Sequence, residues 1–175
     1  KARVLRDQLG EEVVNRALSK LLAAHKFGRA PYPRSVDLIA AIRAEAPADK
    51  QGLITDLLQK ITLYDLKVAS AGASKRPDGR WDVVLKIEAR KLYADAKGTE
   101  TAAPLEEEME IGLFNAEPGL GQFDRKDVVL LERHTIRSGP QTIRLISPTK
   151  PKFAGIDPYT RWIDRDADNN IKAIE

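Results

Sequence analysis

The sequence has no cysteine, only two histidines, and aromatic residues at 6%. Without cysteine there is no disulfide, no thiolate zinc site and no thiol nucleophile, and the redox compartment leaves no mark on the chain. No apolar run approaches the roughly 20 residues that cross a bilayer, and residues 1–25 carry no signal-peptide apolar stretch, so direct membrane insertion is not expected. A block of one charge sign is also missing. The net charge is +3, divided into +4 over residues 1–60 (11 basic, 7 acidic) and −1 over residues 61–175 (18 basic, 19 acidic). Basic and acidic residues alternate rather than gathering into the basic face that phosphate backbones require, so nucleic acid is not an expected partner. What is present is a 175-residue chain with 42% hydrophobic and 31% charged residues. That is the makeup of a soluble globular protein, and at this length about two-thirds of the unfolded chain's surface can be buried. The chain opens on Lys1, inside a helical pattern, which reads as a piece of something longer.

Two periodicities divide the sequence. From Val4 to Lys60 apolar residues recur every three or four positions. Val14, Leu18, Leu21 and Leu22 form one face of a helix predicted from Glu11 to about His25, ended by Phe27-Gly28. The prolines at 31 and 33 exclude helix there, Ser35 is the expected cap of a second helix with Leu38, Ile39 and Ile42 inward, and Ala46-Pro47 stops it. A third helix, from near Asp49, presents Leu53, Ile54, Leu57, Leu58 and Ile61.

Beyond Ile61 the period becomes 2. Tyr64, Leu66 and Val68, then Trp81, Val83, Leu85, Ile87 and Ala89, alternate with mostly polar residues as in half-buried strands. Between them Arg76-Pro77-Asp78-Gly79-Arg80 reads as a hairpin turn. Further strands are expected at 105–114, 126–137, 141–147 and 153–156, with Ser138-Gly139-Pro140 turning the chain. The predicted fold is therefore α+β in two separate units: a short helical bundle or helical repeat over residues 1–61, then an antiparallel immunoglobulin-like β-sandwich over residues 62–175. Tyr64, Trp81, Leu85 and Ile87 are expected in the sandwich core, and Tyr159 and Trp162 are expected to anchor the tail. Glu106-Glu107-Glu108, with Glu110 beyond, reads as the solvated start of a strand.

Candidates for chemistry are few. His25 and His134 do not form a His-Glu-x-x-His pair, there is no Gly-x-Ser-x-Gly elbow, and Gly119-Leu120-Gly121 lacks the rest of a phosphate loop. No catalytic and no cofactor-binding residue is assigned. One motif matches a calcium loop: Asp164, Asp166 and Asp168 at positions 1, 3 and 5, Ile171 at position 8 and Glu175 at position 12. Position 6 is Asn169, which can take the left-handed turn that glycine ordinarily supplies. A metal-free acidic turn is the plainer reading of the same residues.

Several segments resemble a known family. Ile61–Lys67, "VLKIEARKLYAD" from Val84, "VVLLERHTIRSGPQT" from Val128 and "GIDPYTRWIDRDADNNIKAI" from Gly155 are similar to the C-terminal end of bacterial proteins that join an ABC-2-type permease-like membrane region to a gluzincin metallopeptidase of the M1 aminopeptidase type. "LGEEVVNRALSKLLAAHKFGRAPYPRSVDLIAAI" from Leu9 resembles the helical repeats that follow the catalytic domain of that family. The resemblance implies a non-catalytic ancillary role, shaping or gating a peptidase groove. It implies zinc in the parent chain and none here, because the zinc and glutamate motifs lie upstream. The implied partners are the upstream peptidase and membrane domains of the same polypeptide and the enzyme's peptide substrate. Membrane association would come through the parent chain. The alternative is a protein- or peptide-binding β-sandwich with no link to peptidase activity.

Overall fold

The computed structural model describes residues 2–121 and 123–175, and the chain divides into two compact units, Lys1–Thr62 and Leu63–Glu175. The first unit contains helices α1 (Ala2–Leu9), α2 (Glu11–His25), α3 (Ser35–Glu45) and α4 (Gln51–Leu58), the last entered through a single 3-10 turn at Ala48–Lys50. Glu11 and Glu12 sit in the first turn of α2, where the helix dipole favours them. The residue that takes the left-handed conformation after α2 is Phe27 itself (φ 57°), not Gly28. Ser35 is the first residue of α3 and not its cap; Asp37 reaches back to accept the Arg34 N–H at 2.7 Å.

Polar contacts hold the helices in register. Glu45 of α3 accepts from Arg16 (3.2 Å) and Lys20 (2.5 Å) of α2. Arg43 ties α3 to α4 through the Gln51 Oε1 (3.0 Å), Thr55 Oγ1 (2.7 Å) and Gln59 Oε1 (2.5 Å). The apolar core of the unit is small: Val4, Leu5, Leu9, Ala17, Ile42, Leu53, Ile54 and Leu57 are buried. Ile61, expected on the inward face of the third helix, is 52% exposed, because the helix ends at Leu58 and the chain has already become extended.

The second unit has two antiparallel four-stranded sheets in a sandwich-like arrangement. One contains β1 (Ile61–Lys75), β2 (Trp81–Ala94), β3 (Glu100–Ala103) and β6 (Gly139–Ser147); β1 lies on one side of β2, and β6 and β3 share the other. The other has the order β5 (Val128–Arg137), β4 (Glu106–Phe114), β7 (Phe153–Ile156), β8 (Ile171–Ala173). The β1–β2 turn forms as its residues dictate: Gly79 has φ 85°, Arg76 donates to the Arg80 carbonyl at 2.8 Å, and Asp78 accepts from the Arg80 N–H at 3.0 Å.

The sheets are joined at a corner where two paired strands bend together. β3 passes through Pro104-Leu105 into β4, and β5 passes through Ser138 into β6, with Gly139 at φ 96°. The Leu105 N–H donates to Ser138 Oγ at 3.2 Å, locking the two bends side by side. Switching strands of this kind make the corners of two-sheet folds.

Alternate residues fill the interior: Tyr64, Leu66 and Val68; Val83, Leu85, Ile87 and Ala89; Met109, Ile111 and Leu113; Ile136; Ile143 and Leu145. Each Val, Leu, Ile or Met side chain among them contributes roughly 1.5–3 kcal/mol by leaving water. Trp81 departs from expectation. It stands at the very start of β2, opposite Ser147 at the end of β6, and is half-buried with Lys150 Nζ 5.6 Å above its ring.

Candidate functional site

The most elaborately built part of the molecule is the segment after β7. Asp157, buried and at φ 43°, donates its N–H to the Glu110 carbonyl (2.9 Å). Its carboxylate then collects the N–H groups of Arg161 on Oδ1 (3.0 Å) and Trp162 on Oδ2 (2.9 Å), and its carbonyl accepts from Thr160 (2.9 Å). This reversal carries Trp162 onto Tyr64 of β1, ring centroids 4.7 Å apart and planes at 62°. Tyr64 then exchanges backbone bonds with the segment, donating to Ile163 (2.8 Å) and accepting from Arg165 (3.0 Å). The chain returns through a 3-10 turn at Ala167–Asn169 to form β8 on β7, and at its end Glu175 donates to the Ala71 carbonyl (3.3 Å). Residues 157–175 thus strap the β8 edge of one sheet to the β1 edge of the other. The expected anchoring by Trp162 and Tyr159 is what the structure has: Trp162 is 6% exposed and Tyr159 is half-buried.

Under the strap, the outer face of β4 carries Glu110, Gly112 and Phe114. The Phe114 ring lies back across Gly112 so closely that a Cβ there would stand 2.1 Å from Cζ. Tyr159 and Phe123 meet Phe114 edge-on at 6.5 and 5.8 Å. Arg161 binds Glu110 Oε1 at 2.9 Å and places its guanidinium 5.8 Å from the Tyr159 ring centre. Burial pushes the Asp157 carboxyl up to about 6, outweighing the pull of the Trp162 and Arg161 N–H groups, and the charges of Asp164 and Glu110 add to the rise. Burial also raises the Tyr159 phenol, with the Glu110 charge acting in the same direction.

A carboxyl titrating near neutrality beside a second carboxylate is the electrostatic setting of a general acid. Here both Asp157 oxygens already hold backbone N–H groups and the residue is 1% exposed, so its geometry fastens a turn. Arg161 and Glu110 serve the same end; the sequence offered Glu110 only as part of a solvated acidic run and did not join it to Arg161, 51 positions away. The legible signal was Asp-Pro followed by an aromatic pair.

The acidic run of β4 is not uniformly solvated. Glu106 pairs with Arg137 (2.7 Å), Glu107 turns inward to Lys91 (3.3 Å), Glu108 accepts from Thr135, and Glu110 holds Arg161. His25 ends α2, and His134 lies in β5, 3.5 Å from the Glu132 carboxylate.

The calcium-loop candidates are brought together only in part. Asp164 Oδ2 accepts from Asn170 Nδ2 (2.8 Å), while its Oδ1 is 3.4 and 3.3 Å from the N–H groups of Leu66 and Asp166. Asp166 accepts from the Asp168 N–H (3.3 Å) and Asn169 Nδ2 (2.8 Å). Glu175 stands elsewhere: its backbone is bonded at Ala71, five strand residues from Leu66, which is about 16 Å at roughly 3.3 Å per residue. Asn169 is helical in the 3-10 turn rather than left-handed. Among the described residues, no three His, Asp or Glu side chains already stand close enough to share a metal ion. Open surface hollows of about 540 Å³ along Glu12, Arg16 and Lys20 of α2 and about 220 Å³ across Lys86, Glu88 and Gln141 lie away from the strap.

Fold and site together define an α+β protein: a small helical unit and a sandwich-like two-sheet unit fastened by its own C-terminal strap. No family model matches the chain, and no curated protein matches its sequence. Among the described residues no helix is long and apolar enough to cross a membrane.

Proposed function

We propose that this chain is the non-catalytic C-terminal ancillary region of a membrane-associated zinc aminopeptidase-like protein, where it shapes or gates a groove built by the rest of the polypeptide. The observation that carries this reading is helix α2, a fifteen-residue amphipathic helix in which Ala17 is the one buried residue. Leu18 and Leu22 remain 39% and 67% exposed, and Phe27 and Tyr32 in the following loop are exposed too. An apolar helix face left in water is the usual mark of a contact surface, here one suited to the neighbouring helices of a larger domain. A second support is that the groups resembling chemistry, Asp157, Glu110 and Arg161, are engaged in holding the strap. Zinc and the catalytic glutamate belong, in this reading, to the upstream peptidase domain, and peptide substrate reaches this chain only through the shared groove. The helices as the end of a helical repeat and the sandwich as immunoglobulin-like are part of the same proposal.

The protein- or peptide-binding alternative draws support from β6. It ends its sheet, and from Gly139 to Ser147 its only charged residue is Arg144, which leaves an edge suited to strand addition. The β1 edge is less available, since Tyr64, Ala69 and Ala71 already bond to the strap.

An immunoblot of fractionated native cells, using antibody against this chain, separates the readings. A membrane-bound band far larger than 19.4 kDa is expected for the ancillary region. A soluble band of the chain's own mass would overturn it in favour of the binding module.

A further inference from the structure

We infer that the loop joining α2 to α3, residues 26–34, is a docking site for an anionic phospholipid surface, with the Phe27 and Tyr32 rings entering the headgroup layer and Lys26, Arg29 and Arg34 meeting the phosphates. Every residue from Leu22 to Val36 is exposed. Phe27 is 101% exposed and Tyr32 73%, so both rings stand in water. Phe27 also holds the left-handed conformation, φ 57°, which bulky residues rarely adopt. The prolines at 31 and 33 keep the segment out of either helix, and the rings are carried on a loop with no buried side chain of its own. Two large aromatic rings left in water so close together mark a contact surface.

Charge selects the partner. Between Glu12 and Asp37 there is no acidic residue, while Arg16, Lys20, Lys26, Arg29 and Arg34 are basic. The +4 of residues 1–60 lies in this stretch, since the rest of those residues carry six basic and seven acidic groups. Arg16 and Lys20 turn to Glu45, and Arg34 has Asp37 at 3.8 Å, an exposed pair of little strength. Lys26 and Arg29 bracket Phe27 with no carboxylate near them in the sequence. A bare polyanion would meet these charges and leave the rings in water, and an apolar protein groove would cover the rings and strip water from the charges. An anionic lipid surface suits both, because aromatic rings settle at the headgroup level while Lys and Arg heads stay among the phosphates. Nine loop residues are far too few to span a bilayer, so the loop rests on the surface, in keeping with the lack of any spanning helix among the described residues. Lipid binding by this loop is a property of the chain itself and does not depend on a membrane-bound parent; the Leu18 and Leu22 face of α2 stays free for neighbouring helices.

Co-sedimentation of the full chain with lipid vesicles tests this. Binding is expected to phosphatidylcholine vesicles containing about one-third phosphatidylglycerol, at least about tenfold weaker to pure phosphatidylcholine, and reduced when salt is raised to about 0.5 M and screens the charges. Lys26→Gln with Arg29→Gln should weaken binding about 25-fold, about fivefold for each charge. Phe27→Ser with Tyr32→Ser should weaken it by about tenfold or more. All four positions are exposed, so both variants should keep the wild-type Tm, and that melt is measured alongside. Failure to bind the anionic vesicles would overturn the assignment, as would equal binding to pure phosphatidylcholine. Full binding by a folded Phe27→Ser, Tyr32→Ser variant would make the loop a plain polyanion site and overturn the lipid assignment too.

Discussion

Lys91 of β2 and Glu107 of β4 face each other from opposite sheets, Nζ to Oε1 3.3 Å, with side chains only 6% and 11% exposed. Lys91 follows Val83, Leu85, Ile87 and Ala89 on the inward row of its strand, as Glu107 precedes Met109, Ile111 and Leu113 on its own. One end of the apolar interior is therefore closed by an ion pair. Removing one partner takes a close counter-charge from a side chain that is nearly buried. Lys91→Met should destabilise the sandwich unit by about 3–5 kcal/mol, whereas Lys91→Met combined with Glu107→Leu should come close to wild type. Urea unfolding of both variants checks it, and additive losses would contradict it.

The strap depends on one aromatic contact. Trp162→Ala should cost about 3–5 kcal/mol, because a nearly buried indole packed on Tyr64 leaves a cavity. The half-buried Trp81 should cost clearly less on the same change. Proteolysis of residues 157–175 should accelerate in Trp162→Ala, and equal resistance would show that the strap is held by its backbone bonds alone.

Asp157 gives a pH dependence of definite sign. Its folded value, about 6, lies above the unfolded 3.8, so the folded protein binds the extra proton between them. Stability from this group is therefore full below 3.8 and lost as pH rises through 6. On going from pH 7 to pH 4, wild type should gain up to about 3 kcal/mol relative to Asp157→Asn. Thermal melts of both proteins across that range measure the difference, and parallel curves would refute it.

Gly112 is required by Phe114. A methyl group there would meet the Phe114 ring at 2.1 Å, so Gly112→Ala should destabilise by about 1–3 kcal/mol through overpacking. Gly112→Ala with Phe114→Leu should recover part of the loss, a rescue that a purely backbone role for Gly112 would not allow.

The helical unit should tolerate change on α2 and resist it on α4. Leu22→Lys, at a 67% exposed position, should shift stability by no more than about 0.5 kcal/mol. Ile54→Ala, fully buried, should cost about 2–5 kcal/mol. A large loss from Leu22→Lys would mean that the α2 face is covered within this chain.

By itself the sequence determined the elements that short-range physics controls. The change of period after Ile61 separated helices from strands, Pro77-Asp78-Gly79 placed the first hairpin, and Phe153–Ile156 was bounded as it is found, because φ restrictions and side-chain alternation act within a few residues. Only tertiary structure decided the pairings across long stretches of chain. Strands of four and three residues, β3 and β8, exist because β2 and β7 supply their hydrogen bonds, and their own composition carries no strand signal. Lys91 reads as a solvated polar position until Glu107 is brought opposite it, and Glu110 as a surface acid until Arg161 arrives from 51 residues away. The Asp-rich turn was visible as a row of acidic residues, while Asn170, polar like its neighbours in the sequence, is set apart only by folding, which buries it and places its Nδ2 on Asp164.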